Sequence, residues 1–397
     1  MKLTARINTI KPSPTLAITM KANALRAEGR DIIGFGAGEP DFDTPDHVKR
    51  AAIRAIEEGF TKYTPVGGID ELKDAIIGKL KRDNNLNYTR SQIVVSCGAK
   101  HTLYNLAQVL FEEGDEVIIP SPYWVSYPDI VMLTGAKPVI LETKASEGFK
   151  IQPAQLKAAV GERTKAVILN SPSNPSGVAY SAAEIKELAD VLAGKEVLVI
   201  SDDIYEKILY DGMSFANVPS VCPDMKDRTL VVNGLSKSHA MTGWRIGYAA
   251  GPADIIDAVT KLQSQNTSNP NSIAQKASVE ALNGDQAVVH NMVREFQKRR
   301  NLIVERLNAI PGVACMLPQG AFYVFPSIAG LRGRKQGGKV LVTSADWAAY
   351  LLEEANVAVI PGGEFGHDDH LRLSYATSMA HIEKGLDRIS AAIMKST

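Results

Sequence analysis

Seven short apolar runs recur between about residues 90 and 250, and each ends in a polar or glycine-rich turn. Continuous apolar runs of this length are typical of strands that are buried on both faces of a sheet. Helical patterns lie between several runs, and one begins at Ser181 with Glu184 three residues later, as in a capping box. The alternation predicts a mostly parallel sheet covered by helices. The runs are IVVSCG, EVIIPSP, KPVILE, KAVILNSP, EVLVISDD, TLVVNGLS and RIGYAAG.

A different pattern begins after about residue 285 with QAVVHNMVREFQKRRNLIVERLNAI, which predicts one long amphipathic helix ended by Pro311 and Gly312. A chain of 397 residues also exceeds the ~250 to 300 residues at which a single core stops growing. We therefore expect a large domain over residues 46–290 and a smaller α/β domain over residues 291–397. Residues 1–45 would form an N-terminal arm and part of the smaller domain. Strand-like segments of that domain are CMLPQGAFYVF, VAVIPGG and HLRLSYA.

The charged residues balance, because Lys plus Arg and Asp plus Glu each total 44. Without a net field, the composition gives no reason to expect nucleic acid or an anionic membrane as a partner. The N-terminal sequence MKLTARINTIKPSP has no apolar leader, and no run of about 18 apolar residues follows it. We therefore expect a cytoplasmic protein that acts on small molecules and binds any anion through local contacts.

The run TLVVNGLSK ends with Ser236 and Lys237, and Arg245 follows within MTGWRIGY. In open α/β sheets ligands bind at the carboxyl ends of strands, so these side chains are candidates for a site. A lysine at a strand end is usually just solvated. A guanidinium near a partly buried lysine, however, lowers its pKa and frees its amine to attack carbonyl groups. Arg245 has the fork shape that binds phosphate in a bidentate manner, and Ser236 can add a hydroxyl.

The two preceding runs also end in polar side chains. VISDDIYEK places Asp202, Asp203 and Tyr205 at the end of one strand, and AVILNSPSNPSG places Asn174 after the other. Turn and cap formation alone would account for an aspartate or an Asn-Pro pair here. A pyridine-based cofactor, however, needs a carboxylate that keeps its ring nitrogen protonated, and a phenol or an amide can bind its phenolic oxygen. The set therefore indicates such a cofactor near Lys237.

Two further segments add groups that a phosphorylated, planar cofactor could use. VVSCGAKHTLYNL places Gly98, Ala99 and Lys100 between a strand and an apparent helix, where small residues expose backbone N–H groups to a phosphate. PSPYWVSYP offers Trp124 as an aromatic plane for stacking, although a Trp is more often simply buried in a core. Either segment alone would be weak support for a site.

With these segments in chain order, the sequence resembles the fold-type I pyridoxal-phosphate-dependent aminotransferases, and within them the I-beta subgroup of aspartate aminotransferases. The resemblance covers essentially the whole chain, and its most specific part is LSKSHAMTGWRIGYAAGP. It implies an α/β fold with a mostly parallel seven-stranded sheet in a large domain, a smaller α/β domain, and a homodimer with shared active sites. The other matching segments are GAGEPDFDTP, KYTPVGGIDELKDAI, PYWVSYP, NSPSNPSG, SDDIYE and LRLSYATS.

The resemblance also implies a role for each candidate residue. Lys237 would bind pyridoxal 5′-phosphate as an aldimine and then act as general base and acid, while Asp202 would pair with the pyridine nitrogen. Arg372 in LRLSYA would bind the substrate α-carboxylate. The other implied cofactor contacts are Tyr205 and Asn174 at the phenolic oxygen, Trp124 on the ring, and Ser236, Arg245, Gly98, Ala99, Lys100 and the second subunit's Tyr63 at the phosphate. The other implied substrate contacts are Asn174, Trp124 and the backbone at Gly38.

Substrate choice depends on fewer residues. In the I-beta subgroup a lysine at the position of Lys100 binds the distal carboxylate of aspartate, and Ser264 lies where the I-alpha enzymes have an arginine from the partner subunit. The resemblance therefore implies ping-pong amino transfer between aspartate or glutamate and 2-oxoglutarate or oxaloacetate. Thr15 together with Lys100 also resembles subgroup members that transaminate prephenate. An aromatic or alanine-type preference stays open, because pocket shape alone separates substrates weakly.

Other interpretations have less support. Gly34, Gly36 and Gly38 in IIGFGAGEP suggest a dinucleotide oxidoreductase, but the G-x-G-x-x-G spacing fails. A noncatalytic cofactor-binding regulator would need an added DNA-binding region, and the enzyme-like segment starts close to the first residue. A β-lyase, decarboxylase or acyltransferase would share the lysine chemistry. The segment HDDH at residues 367–370 could suggest a metal site, but we expect a solvated loop and no metal.

Overall fold

A computed structural model describes residues 2–396, and its largest feature is a seven-stranded sheet. All seven apolar runs form strands of this sheet, as predicted. The strands of the protein in chain order are β1 (Ile33–Gly34), β2 (Ile93–Ser96), β3 (Glu116–Ser121), β4 (Lys137–Glu142), β5 (Thr164–Asn170), β6 (Leu198–Asp202), β7 (Thr229–Gly234), β8 (Gly247–Ala250), β9 (Tyr323–Val324), β10 (Lys335–Gln336), β11 (Lys339–Val340), β12 (Val357–Ala358), β13 (Ile360–Pro361) and β14 (Leu371–Ser374).

The spatial order of the large sheet is β2, β8, β7, β6, β5, β3, β4. β8 runs antiparallel to both of its neighbours, and the other adjacent strands are parallel. Helices cover both faces, because Val199 and Ile200, adjacent on β6, belong to two different buried apolar clusters. The prediction of a mostly parallel α/β sheet wrapped by helices is therefore confirmed.

The helices follow the sequence pattern as well. At the predicted capping box, Ser181 Oγ accepts a hydrogen bond from the Glu184 backbone N–H, and the Glu184 carboxylate accepts one from the Ser181 backbone N–H. Within residues 2–396, no helix combines the length and the apolar character that crossing a membrane would need. The α-helices are α1 (Pro14–Ala27), α2 (Asp46–Glu57), α3 (Asp70–Asn84), α4 (Ala99–Leu110), α5 (Ser126–Met132), α6 (Pro153–Ala159), α7 (Ala182–Leu192), α8 (Val218–Val221), α9 (Ala253–Asn266), α10 (Ser272–Asn283), α11 (Ala287–Asn308), α12 (Ser344–Glu354) and α13 (Met379–Lys395).

The C-terminal part of the chain packs around α11, the long amphipathic helix that the sequence predicted. Phe296 and Leu307 on α11 lie in one apolar cluster with Leu386 of α13. A three-stranded antiparallel sheet, in the order β13, β14, β9, borders this cluster.

The N-terminal segment joins this C-terminal part, because β1 pairs in parallel with β12. Phe35 is fully buried in the same cluster, and its carbonyl oxygen accepts a hydrogen bond of 2.8 Å from the Ser374 backbone N–H. These contacts place Gly36 and Gly38 beside β14. The residue limits of the two domains stay a prediction.

Two expectations about burial were wrong. The run KPVILE forms β4, but Ile140 is 41% exposed, because β4 is one of the two edge strands of the sheet. In the HDDH segment, His370 is buried and stacks on Phe325 with ring centroids 4.8 Å apart, and His367 bonds to Ser121. The aromatic neighbours, distant in sequence, give these imidazoles an apolar environment, whereas Asp368 and Asp369 between them are exposed, as a solvated loop predicts.

Candidate active site

A cavity of about 420 Å³ lies at the carboxyl edge of the large sheet. Asn170 and Asp202 are the last residues of β5 and β6, and Lys237 follows β7 by three residues. Parallel strands end at the same edge, so the fold brings together side chains that are distant in the sequence. The predicted site residues that line the cavity are Thr15, Gly38, Ala99, Lys100, Trp124, Asn174, Asp202, Tyr205, Ser236, Lys237, Arg245 and Arg372.

The amine of Lys237 points toward the N-terminal segment and donates a hydrogen bond of 2.5 Å to the Gly38 carbonyl oxygen. Burial lowers the pKa of Lys237 to about 8; the carboxylate of Glu39 opposes this shift, and the guanidinium groups of Arg245 and Arg372 add to it. Near neutral pH a fraction of this side chain is therefore an uncharged amine, which is the form that attacks carbonyl groups.

The carboxyl group of Asp202 is buried at the end of β6. The pKa of Asp202 is raised to about 6 by burial. A hydrogen bond of 2.5 Å from the Tyr127 hydroxyl opposes this rise, because it stabilises the carboxylate. Asp202 is therefore mainly a carboxylate at neutral pH. Asp203 differs, because it accepts a hydrogen bond from Asn217 away from the cavity. The structure thus distinguishes two adjacent aspartates that the residue pattern alone left equivalent.

A phenol and two amides extend the polar wall next to Asp202. The hydroxyl groups of Tyr205 and Tyr323 are 2.8 Å apart, and burial raises the pKa of Tyr205, so both stay neutral. Asn170 accepts a hydrogen bond of 2.9 Å from the Asn174 backbone N–H and donates one of 2.9 Å to the Asp202 carbonyl oxygen. The wall of the cavity next to Asp202 therefore consists of neutral hydroxyl and amide groups that their mutual hydrogen bonds keep in fixed positions.

The antiparallel direction of β8 explains how Arg245 reaches the site, because the amino end of β8 meets the carboxyl ends of its neighbours. Gly98 caps α4 with φ of 93°, and a Cβ atom there would lie 2.4 Å from Arg245 Nη2. The absence of a side chain at Gly98 therefore makes room for the guanidinium beside the first turn of α4. A guanidinium next to a helix N-terminus is a suitable arrangement for binding a phosphate.

Arg372 on β14 is 2% exposed, which is unusual for an arginine. Its Nη1 donates to Asn174 Oδ1 at 3.1 Å and its Nη2 donates to the Gly36 carbonyl oxygen at 2.7 Å. The guanidinium also lies 4.7 Å from the ring centroid of Tyr323 and 5.1 Å from that of Phe365. Its Nε is buried with no hydrogen-bond partner among the described residues. The guanidinium is thus held in a fixed position at the cavity.

Three other predicted residues meet at the same cavity. Lys100, in the first turn of α4, holds its ammonium 4.9 Å from the ring centroid of Trp124. Trp124 in turn packs edge-on against Tyr127, with centroids 5.2 Å apart. Thr15 lies in the first turn of α1, on the N-terminal side of the cavity. Lys100 is therefore a further basic group of this cavity, besides Lys237, Arg245 and Arg372.

Tyr63 and Ser264 do not line the cavity of the chain that contains them. The side chain of Tyr63 is 91% exposed. Ser264 lies on α9, where its hydroxyl donates a hydrogen bond of 2.7 Å to the Lys261 carbonyl oxygen. The resemblance assigned Tyr63 to the site of a second subunit and Ser264 to a position where related enzymes use a partner residue. Both assignments stay predictions.

Several cavity residues escaped the sequence reasoning. Tyr127 follows Trp124 by three residues, a spacing that puts both on one side of a helical turn, and this signal could have been used. Asn170 ends the run AVILN and could have been noted for the same reason as Asp202. Neither Tyr323 nor Glu39 could be identified from the local sequence. Tyr323 bonds to Tyr205 and Glu39 bonds to Thr242, and both partners come from distant parts of the chain.

The fold is that of a fold-type I pyridoxal-phosphate-dependent transferase, and comparison with known proteins narrows it further. Residues 30–389 match the family "Aminotransferase class I and II". The chain belongs to this family and is an aminotransferase; members of the family generally depend on pyridoxal phosphate.

Among the relatives, the aspartate aminotransferase of Geobacillus stearothermophilus is 52% identical over 98% of each chain. The aspartate/prephenate aminotransferase of Nitrosomonas europaea is 51% identical over 99% of this chain and 100% of the relative. The aspartate aminotransferase structure from Rhizobium meliloti superposes with a TM-score of 0.97, at 49% identity and full coverage of both chains. That of Thermus thermophilus with maleate gives 0.93, at 42% identity over 99% of this chain and 100% of the other.

The residues of the cavity fit pyridoxal phosphate. A volume of about 420 Å³ is within the usual range of small-molecule sites. The carbonyl-reactive amine of Lys237 matches the aldehyde of the cofactor, and the buried carboxylate of Asp202 matches its ring nitrogen. The guanidinium of Arg245, which lies against Gly98 at the start of α4, matches its phosphate. The guanidinium of Arg372, held by Asn174 and Gly36, lines the same cavity and can bind a substrate carboxylate.

Proposed function

We propose that this aminotransferase takes an amino group from aspartate or glutamate and passes it to 2-oxoglutarate or oxaloacetate in a ping-pong reaction, with pyridoxal phosphate held at Lys237. The observation that carries the proposal is that two cationic side chains, Arg372 and Lys100, line the cavity in addition to Lys237 and the phosphate candidate Arg245. A dicarboxylic amino acid has two carboxylates to pair with them. Arg372 would bind the α-carboxylate in a bidentate manner, and Lys100 would bind the distal one.

Bound pyridoxal phosphate supplies an electron sink that stabilises negative charge at the substrate Cα. Lys237 would move the proton, first accepting it from the substrate Cα and then donating it on the cofactor side. Its lowered pKa suits this work, because a group that titrates near the working pH can both accept and release a proton. Asp202 would hold a proton at the ring nitrogen, and Tyr127 would keep Asp202 charged.

The remaining contacts would orient the cofactor and the substrate. Trp124 would stack on the ring, Tyr205 and Asn174 would donate to the phenolic oxygen, and Asn174 and the Gly38 backbone would assist Arg372 in substrate binding. The phosphate would be bound by Ser236, Arg245 and the backbone N–H groups of Gly98, Ala99 and Lys100.

The proposal includes a homodimer in the cytoplasm, with no nucleic-acid or membrane partner. Tyr63 of one copy would reach the phosphate in the other, and Ser264 would border the substrate from across the interface. Tyr63 is 91% exposed, so its side chain is accessible to a second copy of the chain.

Prephenate is a second candidate acceptor. Thr15 and Lys100, the pair that resembles prephenate-using enzymes, line the same cavity, and an aspartate/prephenate aminotransferase is 51% identical to the chain. Prephenate also carries two carboxylates, so the same two cations could bind it.

The test is a single-turnover half-reaction. Aspartate, glutamate and alanine are mixed in turn with the cofactor-loaded protein, and conversion of the bound aldehyde to the amine is followed by absorbance. We expect the two dicarboxylic amino acids to react much faster than alanine; equal rates, or no reaction with aspartate, would contradict the proposal. Regeneration by 2-oxoglutarate, oxaloacetate or prephenate then ranks the acceptors. Lys237→Ala, which still has the cavity but no amine, is the control for non-enzymatic exchange.

A further inference from the structure

The segment Gly38–Thr44, here called the strap, crosses the loop Ser236–Arg245, here called the lysine loop. Two contacts join the strap to the cavity side of the loop. Lys237 Nζ donates to the Gly38 carbonyl oxygen, and Thr242 Oγ1 donates to the Glu39 carboxylate at 2.7 Å. The strap therefore contacts the loop that contains both Lys237 and Arg245.

Thr44 makes a different contact, because one hydroxyl bridges two points of the lysine loop. Its Oγ1 donates a hydrogen bond of 2.7 Å to the Ala240 carbonyl oxygen. The same oxygen accepts one of 2.9 Å from the indole Nε1 of Trp244, the residue before Arg245. A single side chain thus fixes the separation of two positions within the loop.

The lysine loop needs such an external restraint. Ala240 and Arg245 have φ of 50° and 55°, in the left-handed region that residues with a side chain adopt rarely. Strained residues of this kind persist only where their surroundings hold them. Both Thr44 contacts lie at these points, one on Ala240 itself and one on the neighbour of Arg245.

Packing supports only part of the lysine loop. Met241 is buried in an apolar cluster, and Trp244 packs against the same cluster. A second cavity of about 360 Å³ lies against the lysine loop, and Ser238, His239 and Ala240 line one side of it. Val289 and Met292 of α11 line another side. At Ala240, where a cavity and not side chains borders the backbone, hydrogen bonds contribute more to the position of the chain.

The strap itself is firmly attached. Asp41 accepts a hydrogen bond of 2.7 Å from Arg299 Nη1, and Arg299 is only 6% exposed. The same guanidinium lies 5.1 Å from the ring centroid of Phe42 and 5.7 Å from that of Phe296 on α11. The strap is thus fixed to α11 and can serve as a rigid support for the lysine loop.

We propose that Thr44 is a positioning residue for the cofactor site: its hydroxyl holds the lysine loop in the conformation that presents the Lys237 amine and the Arg245 guanidinium to the cavity. Thr44 touches neither substrate nor cofactor and acts through Ala240 and Trp244. The inference rests on the proposed function, because it assigns the two presented groups to pyridoxal phosphate.

The test compares Thr44→Val, which keeps the shape and removes both hydrogen bonds, with Thr44→Ser, which keeps the hydroxyl. Thr134→Val is the matched control. Thr134 is also partly buried, donates to a carbonyl oxygen (Val131, 2.7 Å) and accepts from an N–H group (Ala136, 3.2 Å), in the turn between α5 and β4. The readouts are the dissociation constant of pyridoxal phosphate, the pH midpoint of the bound cofactor's absorbance, and the thermal unfolding midpoint.

We expect Thr44→Val to weaken pyridoxal phosphate binding roughly tenfold and to move the absorbance midpoint, since each lost hydrogen bond contributes a several-fold factor. Thr44→Ser should restore both readouts to near wild type, while Thr134→Val should lower only the unfolding midpoint. Wild-type cofactor properties in Thr44→Val, equal effects of both valine variants, or failure of the serine variant to rescue would overturn the inference. If Thr44→Val does not fold, Thr44→Ala has the same expected result. Wild-type protein that does not bind the cofactor would overturn the proposed function as well.

Discussion

Tyr127→Phe isolates one hydrogen bond in the candidate site, that between the Tyr127 hydroxyl and the carboxylate of Asp202. The bond favours the charged form of Asp202, so its loss raises the pKa of Asp202 above about 6, the value that burial and this bond now produce together. A hydrogen bond to a charged group is worth about 1.5 to 3 kcal/mol. At about 1.4 kcal/mol per pKa unit, we expect a rise of about one to two units.

The consequence appears in the pH dependence of cofactor binding. A protonated Asp202 cannot stabilise a proton on the ring nitrogen, so affinity for pyridoxal phosphate falls as pH decreases through the pKa of Asp202. Tyr127→Phe should therefore move this acid limb to higher pH by about one to two units. Titration of the cofactor-free protein with pyridoxal phosphate between about pH 5 and 9, which extends about one unit beyond the expected midpoints, measures this shift.

The matched control is Tyr123→Phe, which changes a partly buried tyrosine four residues earlier that makes no described hydrogen bond to Asp202. Its acid limb should coincide with that of the wild type. An unchanged limb in Tyr127→Phe, or equal shifts in both variants, would refute the assignment of Asp202 to the ring nitrogen.

Three more substitutions test other parts of the site. Arg372→Lys keeps the charge but loses the bidentate geometry, so we expect kcat/KM for aspartate in steady-state assays to fall roughly a hundredfold. Wild-type activity would count against the assignment of Arg372 to the α-carboxylate. Lys100→Ala should reduce kcat/KM for aspartate roughly tenfold and leave alanine unaffected; an equal loss for both amino acids would disprove selective binding of the distal carboxylate. Gly98→Ala places a Cβ atom 2.4 Å from Arg245 Nη2, so the guanidinium must move. Equilibrium dialysis should then show roughly tenfold weaker binding of pyridoxal phosphate. Unchanged affinity would argue against a phosphate beside Gly98.

Much of the fold followed from the hydrophobic pattern, because it depends on local periodicity. Each apolar run became a strand, and the capping box at Ser181 begins α7 as predicted. The position of the site was also predictable in outline. Parallel strands end at one edge, so Asp202 and Lys237, which follow neighbouring runs, had to lie near each other.

Burial was predicted less well, because it depends on what packs against a segment. The run KPVILE is as apolar as its neighbours, yet it lies at the sheet edge and Ile140 is exposed. The polar pair of histidines in HDDH is enclosed by Phe149 and Phe325, which come from distant segments.

The sequence by itself determined the α/β architecture, the family resemblance and most of the polar side chains that line the cavity. Only the tertiary structure decided which of those groups share partners. Arg372 bonds to Gly36 across 336 positions of the chain, and Tyr127 bonds to Asp202 across 75. A hydrogen bond requires two groups within about 3 Å, and no local pattern encodes that distance between segments that meet only when the chain has folded.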